Sequence, residues 1–203
     1  MTRIKICGLT REEDIRIVNS LRPDYIGFVF ADFSKRYVTP ERAAELKAKL
    51  DPDIKAVGVF VDENVEKVAE FLKKDIIDIA QLHGHEDEDY ISKLRSLSDK
   101  PIIKVFNIKK IESFDVVEES SADYVMIDSG YGEGETYDRS GLRSIKRPFF
   151  LAGGLSPDNI EKAIEETSPY AVDVSSGVET DSVKDETKLR EFISLVKRGK
   201  YYE

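Results

Sequence analysis

The sequence predicts an α/β protein, a (β/α)8 TIM barrel built as a single domain over residues 1–203, and three observations predict it. Short apolar runs rich in β-branched and aromatic residues alternate along the whole chain with amphipathic stretches of helical period. Eight such runs fall at even spacing within 203 residues, which is many for an open doubly wound sheet of this length. No Gly-x-Gly-x-x-Gly follows the first run, where a dinucleotide-binding sheet would use it.

The predicted strands are 3–7 (RIKIC), 24–30 (DYIGFVF), 55–61 (KAVGVFV), 77–82, 101–106 (PIIKVF), 123–128 (DYVMID), 148–152 (PFFLA) and 171–175 (AVDVS). Helices are expected at about 11–21, 40–50, 63–73, 86–97, 109–119, 157–166 and 185–197, with a less regular one near 138–146. Thr10 and Glu13 have the spacing of a capping box, in which hydroxyl and carboxylate each satisfy an orphan amide of the first turn. Thr39-Pro40 and Ser156-Pro157 each set a hydroxyl at the N-cap and a proline at the first helical position.

Composition narrows the class. No apolar stretch reaches the roughly 18 residues of a membrane span, and the opening MTRIKICGL lacks the pattern of an export signal, so a cytoplasmic enzyme is expected, away from any membrane. A net charge of −9, with lysines interspersed among glutamates, opposes binding to nucleic acid. The single cysteine cannot form an intramolecular disulfide. A surface patch for self-association is not legible, which leaves a monomer or a homodimer.

In such a barrel, chemistry collects at the C-terminal ends of the strands and in the loops that follow. Cys7 ends the first predicted strand and Asp128 the sixth; these strands are not neighbours, so thiol and carboxylate are expected to face each other across the mouth, one to remove a proton and one to deliver it. Gly153-Gly154 and, one unit later, Ser175-Ser176-Gly177 form two consecutive small-residue loops suited to a phosphate, because backbone amides come close to a dianion there. Arg36 lies in a loop above the mouth and offers a fork for a carboxylate. His83 and His85 share a strand face, but they are the only histidines and nothing completes a coordination sphere, so no metal is expected; His83 is read as a hydrogen-bond partner of the substrate.

These residues carry a resemblance. The segments K-I-C-G-L-T at 5–10, G-F-V-F at 27–30, S-K-R-Y-V at 34–38, Q-L-H-G at 81–84, I-D at 127–128, G-G-L at 153–155 and D-V-S-S-G-V-E at 173–179 are similar, nearly end to end, to the phosphoribosylanthranilate isomerase family. The resemblance implies an Amadori rearrangement of a small phosphorylated aromatic-amine sugar, without any cofactor. It implies Asp128 as the general acid on the ring oxygen, Cys7 as the base at C2, Arg36 at the anthranilate carboxylate, and the glycine and serine loops at the phosphate. Asp128 then needs a raised pKa and Cys7 a depressed one.

The chain departs from the family pattern at 129–139, where Glu135, Tyr137 and Arg139 replace the usual lysine, phenylalanine and tryptophan of a longer loop. Another phosphate-binding barrel, such as a sugar-phosphate epimerase or a lyase, would want a metal cluster or lysines at strand ends, whereas Lys5 and Lys104 lie within strands. A non-catalytic phosphate-ligand binder would not need Cys7 and Asp128.

Overall fold

In the computed structural model, which describes residues 2–128 and 139–198, eight parallel strands close into one ring. They are β1 (Arg3–Cys7), β2 (Tyr25–Val29), β3 (Lys55–Phe60), β4 (Ile79–Leu82), β5 (Ile102–Asn107), β6 (Tyr124–Asp128), β7 (Phe149–Ala152) and β8 (Ala171–Val174). Each pairs with the next, and β1 closes on β8 in a register that sets Lys5 opposite Asp173. Around them run α1 (Glu12–Leu21), α2 (Pro40–Lys47), α3 (Val65–Lys73), α4 (Glu88–Leu97), the single turn α5 (Asp115–Glu118), α6 (Ile160–Thr167) and α7 (Glu186–Arg198).

The two-residue period of a strand separates two layers. One face of each strand packs on the helices, as when Ile4, Ile26, Phe28 and Phe60 meet Ile15, Leu46, Val68 and Phe192 in one buried cluster. The other face fills the barrel with Val57, Ile79, Ile103, Val105 and Met126, and Tyr25, Tyr124, Phe150 and Tyr170 pack ring to ring at the N-terminal ends. That aromatic floor leaves the C-terminal end as the open one.

Several local expectations needed correction. Helix α1 starts one residue later than the Thr10–Glu13 pairing implies: the buried Asp14 carboxylate accepts the amides of Thr10 and Arg11 at 2.9 Å each, while Glu13 pairs with Arg16 instead. Thr39 caps α2 as expected, accepting from the Arg42 amide at 3.2 Å. Ser156-Pro157 does not open α6, which begins at Ile160; the Asn159 side chain takes the Ser156 amide and donates to the Gly154 carbonyl, so the segment is a turn. The helix expected at 109–119 shrinks to Asp115–Glu118 because Asn107 and Ser113 bind the amides of Lys109 and Asp115, offering the backbone an alternative to helix. The stretch near 138–146 is a 3-10 turn over Ser140–Ser144, and the divergent 129–138 segment lies outside the described residues.

After β8 the chain makes a 3-10 turn (Ser176–Val178) and a small antiparallel pair, β9 (Glu179–Thr180) with β10 (Val183–Lys184), which sequence reading did not foresee. Farther round the ring, Lys104 of β5 donates to the buried Glu86 at 2.9 Å, and Glu86 accepts the amides of Asp62 and Gly84, tying together the segments that follow β3 and β4. Lys104→Met leaves that carboxylate buried without its cation and is expected to lower unfolding free energy by about 3–5 kcal/mol in a denaturant titration. A loss below about 1 kcal/mol, the scale of a surface pair, would show that the bridge does not hold these segments.

Candidate active site

A cavity of about 470 Å³ opens at the C-terminal end of the barrel, and eight of the nine residues singled out from sequence line it: Cys7, Arg36, His83, Asp128, Gly153, Gly154, Ser175 and Ser176. Gly177 does not line it. A Cβ there would stand 1.9 Å from the Leu155 carbonyl oxygen, so glycine is what lets the loop after β8 lie against the loop after β7. Gly153 and Gly154 take left-handed φ values of 92° and 63°, and a Cβ at Gly154 would meet nothing within 4 Å. The Ser176 and Gly177 amides open a 3-10 turn and have no partner within it, as suits an anion.

The thiol occupies a niche that its neighbours leave for it. Cys7 is register partner to Gly27 on β2, where any Cβ would come within 2.7 Å of its sulfur. The Ser175 hydroxyl donates to the Cys7 carbonyl at 3.1 Å, which fixes the end of β1 against the loop after β8. Gly8, with φ of 83°, gives Arg36 room to cross over it.

The depressed thiol pKa that the base role calls for is not found. Burial pushes the Cys7 thiol up; the Lys5 ammonium pulls it down, Asp173 opposes, and Lys184 again pulls it down. The helix that follows starts only at Glu12, five residues beyond the sulfur, too far for its first amides to matter.

On the other wall His83 links two side chains. Its Nε2 lies 3.2 Å from Asp128 Oδ2, and its Nδ1 lies 3.2 Å from the Gln81 amide nitrogen. An amide N–H can only donate, so Nδ1 accepts and Nε2 carries the proton that faces Asp128. Gln81 is almost fully buried in the cavity wall, and its carbonyl oxygen has no partner among the described residues. His85, by contrast, binds Asp62 and stays out of the cavity.

Arg36 is held rather than open. It grips Glu179 of β9 through two bonds of 2.7 and 2.6 Å, and Lys184 of β10 donates to the same carboxylate. Burial alone would raise the Glu179 pKa, but Arg36 and Lys184 bring it below its ordinary value. Sequence reading missed Glu179, Lys5, Asp173, Lys184 and Gln81 as parts of the site. The legible signal was spacing: Lys5 and Asp173 each precede a site residue by two positions in a strand and so share its face. Phe33, 77% exposed, adds an aromatic edge to the mouth.

Comparison with known proteins extends these observations. The family model described as N-(5'phosphoribosyl)anthranilate (PRA) isomerase matches residues 4–195. A protein of Clostridium acetobutylicum named N-(5'-phosphoribosyl)anthranilate isomerase is 46% identical over 210 residues, covering 98% of this chain and all of its own. Among solved structures, a phosphoribosyl anthranilate isomerase in complex with reduced 1-(o-carboxyphenylamino)-1-deoxyribulose 5-phosphate superposes with a TM-score of 0.84 at 33% identity, covering 98% of this chain and 100% of that one. Monomers generated from the dimeric Thermotoga maritima isomerase give 0.86 at 34% identity over the same shares. With its closed barrel, its cavity and a match over nearly its whole length, this chain belongs to the N-(5'-phosphoribosyl)anthranilate isomerase family.

Proposed function

We propose that the chain converts N-(5-phosphoribosyl)anthranilate to 1-(2-carboxyphenylamino)-1-deoxyribulose 5-phosphate, an Amadori rearrangement of tryptophan biosynthesis, by general acid–base catalysis. The observation that carries the mechanism is that Cys7 and Asp128, from strands three steps apart round the ring, wall one cavity. Asp128 protonates the furanose ring oxygen as the anilino nitrogen pushes the ring open to the protonated Schiff base. The Cys7 thiolate then removes the C2 proton, and the electrons flow to nitrogen to give the enolamine. That intermediate loses its enol proton and gains one at C1, leaving the ketone. His83, whose ring orientation Gln81 fixes, donates from Nε2 to one Asp128 oxygen and leaves the other oxygen to carry the proton that is delivered.

Binding follows the same geometry. The phosphate sits between Gly153-Gly154 and Ser175-Ser176, where backbone amides and glycine's freedom allow close approach. Arg36, its plane fixed by Glu179, meets the anthranilate carboxylate. On this reading the enzyme works in the cytosol without a cofactor, as a monomer or a homodimer.

Turnover of freshly generated substrate, followed by loss of its fluorescence, tests these roles. Cys7→Ala and Asp128→Asn should each lower kcat/KM by about 10²–10⁴-fold while the reduced product analogue still binds. Near wild-type turnover in either variant would remove that residue from the mechanism. Arg36→Lys keeps the charge but loses the planar fork, so KM should rise about 10- to 100-fold with kcat little changed. An unchanged KM would move the carboxylate elsewhere.

A further inference from the structure

Buried charges converge on the Cys7 thiol from both sides of the seam that closes the barrel. Lys5 shares the inner face of β1 with Cys7, is fully buried, and sets its ammonium 2.9 Å from the Asp173 carboxylate of β8. Lys184 of β10 is buried too; its ammonium donates to the Ser175 carbonyl at 3.0 Å and to Glu179 at 2.5 Å. The charged groups facing the sulfur are therefore Lys5, Asp173 and Lys184, with Glu179 and Arg36 standing behind Lys184.

An ion pair inside a barrel is weak support for a fold, because well-packed apolar side chains of similar volume stabilise as well or better. Val57, Ile79, Ile103, Met126 and Phe150 follow that rule and fill the barrel. Lys5 breaks it two residues below the thiol, and Lys184 is buried on the same side. Burial at this depth resists ionisation of a thiol that must serve as a base, and a nearby cation lowers that cost.

We propose that Lys5 and Lys184 are positioning residues for the reaction, a pair of buried ammonium counterions that offset part of what burial costs the Cys7 thiolate when it forms, with Asp173 moderating their effect. The inference rests on the isomerase reading only for the use made of the thiolate. On ionisation the sulfhydryl proton passes to water and both lysines keep theirs. Burial works against the Lys5 ammonium, but Asp173 and the sulfur more than offset it, so its pKa is raised; burial wins at Lys184, whose pKa is lowered despite Glu179. Lys5 is thus the firmer cation and Lys184 the one that weakens first as pH rises.

The test is the pH titration of the only cysteine in the wild type and its variants, read without substrate by thiolate ultraviolet absorbance against a Cys7→Ala blank. Lys184→Met should raise the midpoint by about one unit or more, and Asp173→Asn should lower it. Lys5→Met added to Asp173→Asn, which leaves no orphaned charge at the seam, should raise it again by a similar amount. The rising limb of kcat/KM against pH should move with each midpoint. A purely structural role would change stability in all three variants but would not shift the thiol in opposite directions. Midpoints equal to wild type in Asp173→Asn and in the double variant would overturn the proposal, whatever happens to Lys184→Met. If the shifts appear and the wild type turns over no phosphoribosylanthranilate, the counterion proposal stands and the isomerase reading falls.

Discussion

The seam between β1 and β8 is the constraint on which the rest of the structure depends. A parallel ring has no hairpin to close it, so the first and last strands must find each other across almost the whole chain, and a shift of one residue would turn every inward side chain outward. Here the register is marked by a buried ion pair, Lys5 with Asp173, flanked by Ile4 against Val172 and Ile6 against Val174. Both charged side chains sit on the inner face, just beneath the mouth. The same pairing that closes the barrel therefore sets the electrostatic environment of Cys7.

From that seam the site builds outward through small residues and one carboxylate. Gly27 leaves space for the sulfur, Gly8 lets Arg36 cross, and Gly177 brings the last two loops together. Glu179 gathers Arg36 and Lys184, so the residues after β8 lock onto a loop that follows β2. Three segments far apart in sequence are thus held at fixed distances before any substrate arrives, which is what a reaction needing an acid and a base on different walls requires.

Much of this was legible in the sequence, because the signals are local and periodic. The eight strands, the position of Cys7 and Asp128 at strand ends, and the two small-residue loops all follow from alternation and spacing. What escaped reading depends on contacts between distant segments. Nothing near Glu179 in sequence says that it will meet Arg36, and Lys5 reads as an awkward lysine until Asp173 appears across the seam. Local competition explains the misplaced caps: Asp14 wins over Glu13 because its carboxylate is buried where it reaches two amides and Arg11 together. The thiol pKa was misjudged for a related reason. Nothing next to Cys7 in sequence shows how deeply it is buried; α1 begins five residues beyond it, too far to lend positive potential, and burial dominates.

The central claim is that one mouth holds one substrate between an acid and a base. It is tested most directly by determining the structure of this chain with the reduced product analogue bound. The predicted result has the phosphate between Gly154 and Ser176, the carboxylate at Arg36, and the second carbon of the sugar chain between the Cys7 sulfur and the Asp128 carboxyl. An analogue seated with its phosphate elsewhere, or with that carbon beyond reach of Cys7, would contradict it.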